Sequence, residues 1–154
     1  MANIGKWIGG ANAPGSPLTV LSTGLNSLAN NTMSAASSTL DNSTNLDIYC
    51  EIEVNLASLS PTAGAYVAIY VWEAIDGTNF PAQSDADLRL TSTQLFCTIP
   101  IGTTASTAQR VAVRNLVLPP AKVQFKLDNQ TGVALNASNN NFLNLLAYNI
   151  NGNG

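Results

Sequence analysis

Glu51 and Glu53 are the pair of side chains in this sequence best spaced for chemistry. In an extended strand, residues two apart lie on one face about 7 Å from each other. Two carboxylates at such a distance can divide acid and base work on a glycosidic bond. Two acids on the polar side of a strand are equally the ordinary solvated arrangement. Asp76, Asp85 and Asp87 could offer oxygen ligands to calcium, but they lack the loop pattern such a site requires. The chain has no histidine and only two cysteines. A serine nucleophile therefore has no imidazole base, and the cysteines alone do not make an ordinary zinc site. Lys6, Lys122 and Lys126 fall in a terminal arm or on an exposed strand face, where a Ser–Lys pairing is remote. No glycine-rich phosphate loop is present. The expectation is a protein that is not an enzyme, with no catalytic residues, no cofactor and no metal.

The aromatic residues carry more information. Tyr66, Tyr70 and Trp72 share one face of the run AYVAIYVWEAI at 65–75. Such a stripe can stack on sugar rings, form part of a core, or meet a neighbouring subunit. Trp7 and Ile8 stand in a Gly-, Ala- and Asn-rich segment too small and polar to build a core of its own. Burying a tryptophan is worth a large apolar area, so this pair is expected to dock on the body of the protein or on a neighbour. These five residues are the candidate protein–protein contacts.

Only 10% of the residues are charged, with a formal net charge of −3. Asn, Ser and Thr take the place of the missing charge. The six Lys and Arg residues are scattered, so the clustered cations that release counterions from nucleic acid or grip anionic lipid are missing. No window is apolar enough for a membrane helix, and the N-terminus has no continuous apolar stretch of the secretory kind. Synthesis in a cytoplasm is the expectation, with Cys50 and Cys97 reduced and packed as small hydrophobes; a Cys50–Cys97 disulfide is the lesser alternative. The four Asn-x-Ser/Thr sequons, at Asn30, Asn42, Asn129 and Asn136, are then by-products of composition. A surface of amides and hydroxyls suits assembly, because a stranded ion at an interface costs several kcal/mol and an imperfectly paired amide only about 1–3.

The elements that position these groups read as strands. In LDIYCEIEVNL, Leu46, Ile48, Cys50, Ile52, Val54 and Leu56 alternate with polar residues, which predicts one half-buried strand with all six inward. The run at 65–75 is apolar on both faces and reads either as a central strand covered on both sides or as one whose outer face meets another chain, followed by a tight turn at Asp76-Gly77. Further strands are expected over 88–101, 109–118 (ending at Pro119-Pro120), 122–128 and the C-terminal NFLNLLAYN, and a short helix over 33–40 is a weak option. The expectation is an all-β fold: a two-sheet antiparallel β-sandwich over 18–150, an extended N-terminal arm over 1–17, and a polar tail at 151–154.

The Gly/Asn-rich arm, VWEAIDGTNFP, RNLVLPPAKVQFKLDNQTGVAL and the C-terminal LLAYN together resemble the small virion proteins of tailed bacteriophages, especially capsid decoration or cement proteins with a jelly-roll-like sandwich. The resemblance implies a non-catalytic homo-oligomer, commonly a trimer, that clamps the major capsid protein on the virion surface after synthesis in the bacterial cytoplasm. It implies no nucleic-acid or membrane partner, and it gives the arm around Trp7 a clamping role. Tail or baseplate proteins look similar at this level. A carbohydrate-binding sandwich using Tyr66, Tyr70 and Trp72 is the alternative from another class.

Overall fold

The computed structural model describes residues 6–9, 17–82, 84–85, 89 and 94–151. The strands are β1 (Lys6–Gly9), β2 (Leu18–Leu21), β3 (Thr32–Met33), β4 (Leu40–Asp41), β5 (Tyr49–Leu59), β6 (Tyr66–Ala74), β7 (Leu95–Pro100), β8 (Thr107–Val117), β9 (Lys122–Gln130) and β10 (Phe142–Asn151). They form two antiparallel sheets. The first runs β1-β10-β5-β8, with β2 also pairing β10; the second runs β3-β9-β6-β7, with β4 also pairing β9. Six of the nine connections pass from one sheet to the other, so the chain wraps around its own core. This strand order is that of a jelly roll, and the all-β sandwich expected from the sequence is what the chain forms.

Period-two patterning builds the core. Cys50, Ile52, Val54 and Leu56 of β5, with Leu143 and Leu145 of β10, point inward from the first sheet. Val67, Ile69 and Val71 of β6, with Val123, Phe125 and Leu127 of β9, meet them from the second. Each such side chain, fully buried, is worth about 1.5–3 kcal/mol. Cys50 and Cys97 are free thiols, Cys50 wholly in this core and Cys97 packed against it.

Three places depart from the sequence reading. Residues 34–39 are not a helix: the Ser34 and Ser37 hydroxyls accept hydrogen bonds from the N–H groups of Leu127 and Phe125, at 3.1 and 2.9 Å. Serine side chains there stand in for ladder carbonyls and hold an irregular stretch against β9. The strand expected over 88–101 is β7, six residues from Leu95, and 88 and 90–93 lie outside the described residues. The third departure concerns the start of β5. The alternation from Leu46 predicts a strand there, but β5 begins at Tyr49, and Leu46 and Ile48 are 54% and 52% exposed rather than buried. The physical cause is Asn42. Its amide donates to the carbonyls of Asp47 and Pro119 and its oxygen accepts from the Asp47 N–H, all at 2.9 Å. This buried clamp replaces strand pairing with a turn, which also contains the Leu46 N–H bond to Asn42 O.

Buried asparagines serve the same end elsewhere. Asn129 donates to Leu28 O and Val133 O and accepts from Thr131, while Asn141 accepts from the Ala57 N–H. Part of the amide-rich composition is therefore internal wiring rather than surface. The sequon residues Asn42 and Asn129 are buried, so neither side chain is open to a glycan.

Candidate functional site: an apolar end and two polar faces

The end of the first sheet where β5 starts and β8 stops gathers three large exposed apolar side chains. Leu46 and Ile48 precede β5, and Val117, 65% exposed, ends β8 opposite Tyr49. The Leu118 N–H bonds to Ile48 O, which ties the two segments together. Tyr49 stacks on Tyr148 with ring centroids 5.8 Å apart, and the Tyr148 hydroxyl meets Asn115 Oδ1 at 2.9 Å. Leu46 holds φ at +52°, in the left-handed region. That conformation costs an L-residue with a β-carbon about 1–2 kcal/mol. Asn115, in the same corner, also has positive φ, at +58°.

β1 runs along this same end. Trp7 pairs with Ile150, Ile8 with Asn149 and Gly9 with Tyr148 on the outer edge of β10. The backbone at Trp7 and Ile8 is thus a strand added to the first sheet; their side chains fall outside the described residues, as do residues 1–5 and 10–16 of the expected arm.

Glu51 and Glu53 do share the outer face of β5, as their spacing required. Each is matched by an arginine of β8. Arg110 Nε lies 2.8 Å from Glu53 Oε2, and Arg114 Nε lies 3.8 Å from Glu51 Oε2. Asn144 donates to the other Glu53 oxygen at 3.3 Å. A shallow pocket of about 230 Å³ covers this row. The arrangement is a set of cross-strand ion pairs on a sheet face, where such pairs contribute little.

The outer face of the second sheet carries Tyr66, Tyr70 and Trp72, on one side of β6 as expected. Their environments differ. Tyr70 is buried beside Met33 and Ala68, and Trp72 is half-buried under Lys126, whose Nζ sits 4.4 Å from the ring centroid. Tyr66 is 39% exposed. Burial pushes the Tyr70 phenol above its ordinary value, and the nearby Asp128 carboxylate adds to the effect. Charges here are also paired internally: Arg89 forms two hydrogen bonds to the buried Asp128, one of them at 2.9 Å, and Lys126 Nζ meets Asp85 at 2.7 Å. Lys122 stands directly across from Asp41. Asp76 accepts the N–H groups of Thr78 and Asn79 and so closes its own turn, while Asp87 lies outside the described residues. Among the described residues no three potential ligands converge on a point where a metal could sit.

Sequence reasoning missed Leu46, Ile48, Val117 and Asn42. Alternation places the first two in the core; the Asn42–Pro119 contact spans 77 residues and leaves no local signal.

Set beside known proteins, the chain matches no protein-family model and no curated protein. Among solved structures it is similar to the K1 cleaved adhesin domain of Lys-gingipain from Porphyromonas gingivalis W83. The match has 14% identity and a TM-score of 0.36, and covers 97% of this chain and 91% of that one.

Proposed function

We propose that this protein is a structural virion component of the decoration, or cement, kind. In this reading it is a homotrimer that sits on the head shell of a tailed bacteriophage and braces neighbouring copies of the major capsid protein. It acts by contact alone, and its place is the capsid surface after synthesis in the bacterial cytoplasm.

The observation that carries the reading is the apolar end of the first sheet. Leu46 and Ile48 are held out to solvent by a buried asparagine clamp and the left-handed backbone at Leu46, and Val117 stands exposed at the adjoining end of β8. Arg89, Arg110, Arg114, Lys122 and Lys126, five of the six cations, each face an acid of the same molecule, so little unpaired positive charge is left on the described surface. Such a surface packs against copies of itself with little desolvation penalty or mutual repulsion. A strand bearing Trp7 lies on the edge beside the apolar end, in position to reach a neighbour. Affinity for a shell then comes from many weak contacts made at once.

The test is cosedimentation with head shells purified from a tailed phage that carries this gene but has lost its product. The full chain should pellet with the shells and raise their thermal rupture temperature. The chain lacking residues 1–17 should pellet less and protect less. Full-length protein that stays in the supernatant at all concentrations would overturn the proposal.

A further inference from the structure

On the opposite sheet, away from the apolar end, lies an open groove of about 400 Å³. Tyr66 and Leu95, the latter 41% exposed, form an apolar side, and Tyr70 and Ala68 lie deeper. The polar lining comes from Asn31, Thr98 and Gln130, with the Arg89–Asp128 pair beside them.

The state of these groups decides what the groove can take. The charged members are spent on each other: Asp128 is buried and accepts from Arg89 Nε at 2.9 Å and from Gln130 Nε2 at 3.1 Å. A charged ligand would compete with this existing ion pair for either partner. Among the described residues the neutral members are not fully spent. Gln130 Nε2 also donates to Asn31 Oδ1, at 3.0 Å, which orients both amides. That leaves Gln130 Oε1 and the Asn31 amide nitrogen without partners among the described residues. The Thr98 hydroxyl and the phenol oxygens of Tyr66 and Tyr70 are likewise without partners among the described residues. The groove therefore offers an exposed aromatic ring, an aliphatic wall, and several uncharged donors and acceptors, the two amides held in fixed orientations by their mutual contact. Such a lining complements a molecule with one apolar C–H face and a rim of hydroxyls.

We propose that this groove binds a neutral saccharide, the sugar's C–H face against Tyr66 and Leu95 and its hydroxyls toward Gln130, Asn31 and Thr98. This is one ring in a groove, not the three-ring platform, since Trp72 is covered by Lys126. The site is independent of the capsid reading and stands or falls separately from it. On a virion surface it would give each copy a weak hold on glycans of the host cell or its surroundings.

The experiment uses the full chain, isotope-labelled, titrated with glucose, galactose, mannose and N-acetylglucosamine, and with glucuronic acid as the anionic control. At least one neutral sugar should shift the amide resonances of Tyr66, Thr98 and Gln130 and leave those of Leu46, Ile48 and Val117 unmoved. Tyr66→Ala should weaken that binding about tenfold with an unchanged melting temperature. Thr98→Val, which keeps the shape and removes one hydroxyl, should weaken it about two- to tenfold. No shift with any neutral sugar, shifts with glucuronic acid alone, or full binding by Tyr66→Ala would each overturn the proposal.

Discussion

Leu46 is where fold stability and contact-making pull in opposite directions, and two substitutions separate them. Leu46→Ala removes the exposed side chain and keeps the left-handed backbone at φ +52°. Leu46→Gly removes the same side chain and relieves the backbone. Leu46 is 54% exposed, so about half of its side chain still contacts the protein. Half of a full leucine burial is worth about 1 kcal/mol, and both variants forfeit it. Glycine then regains the ~1–2 kcal/mol steric cost of the left-handed region, less the ~0.5–1 kcal/mol it adds by loosening the unfolded chain. Leu46→Ala should therefore lose about 1 kcal/mol, and Leu46→Gly should be the more stable of the two by about 0.5–1 kcal/mol. On an ordinary exposed loop with negative φ the order is reversed. Urea unfolding monitored by tryptophan fluorescence reads the difference at constant m-value. If the apolar end is a subunit contact, both variants also lose self-association, because the apolar group is gone in each. Alanine as the more stable variant would refute the strain argument. Wild-type association by both variants would refute the role of Leu46 as a contact.

Three further expectations follow from other parts of the molecule. Asn42→Ala removes two buried hydrogen bonds and one part-buried one from the turn that displays Leu46 and Ile48. It should cost about 2–4 kcal/mol in urea unfolding and weaken self-association with it; a loss below about 1 kcal/mol would mean that water takes over the clamp. Burial pushes the Cys50 and Cys97 thiols up to about 12. Both should resist Ellman's reagent in the native protein at mildly alkaline pH and react fully in urea, and rapid native reaction of Cys50 would contradict its place in the core. The Asn79 N–H, with the Asn79 side chain and the Thr78 N–H, holds the Asp76 carboxyl down at about 2. A folded value below the unfolded 3.8 means the turn's contribution is complete above that pH and fades as the pH falls toward 2. An NMR titration of Asp76 should show the low midpoint, Asp76→Asn should remove this part of the pH dependence, and a midpoint near 3.8 would contradict the turn's hydrogen bonding.

The legible parts of the fold were those governed by period two. Val123, Phe125 and Leu127 face inward with Lys122, Gln124 and Lys126 outward, as the alternation requires, and the doubly apolar β6 is a central strand buried from Val67 to Val71 with Tyr66 exposed at its start. The same rule failed at Leu46 and Ile48, because a pattern cannot register the Asn42 side chain that bonds to Asp47 and, 77 residues away, to Pro119. Ser34 and Ser37 were opaque for a related reason. Their hydroxyls take ladder positions on β9, a role that depends on a partner about 90 residues away. Among the candidate site residues, the shared face of Tyr66, Tyr70 and Trp72 was readable from spacing. Their unequal exposure was not, since it arises from Lys126 on β9 and Met33 on β3. The pairing of Glu51 and Glu53 with arginines follows from the register of β5 against β8, which spacing within one strand does not contain.

Whether the apolar end joins subunits is tested most directly by the solution mass, from sedimentation equilibrium, of the full chain and of an Ile48→Asp, Val117→Asp double variant. The natural sequence should sediment at three times the 16.1 kDa chain mass. The variant should be a 16.1 kDa monomer with an unchanged circular-dichroism spectrum. A natural chain that stays monomeric across the accessible concentration range, or a trimer untouched by both charges, would contradict the assembly proposed for this protein.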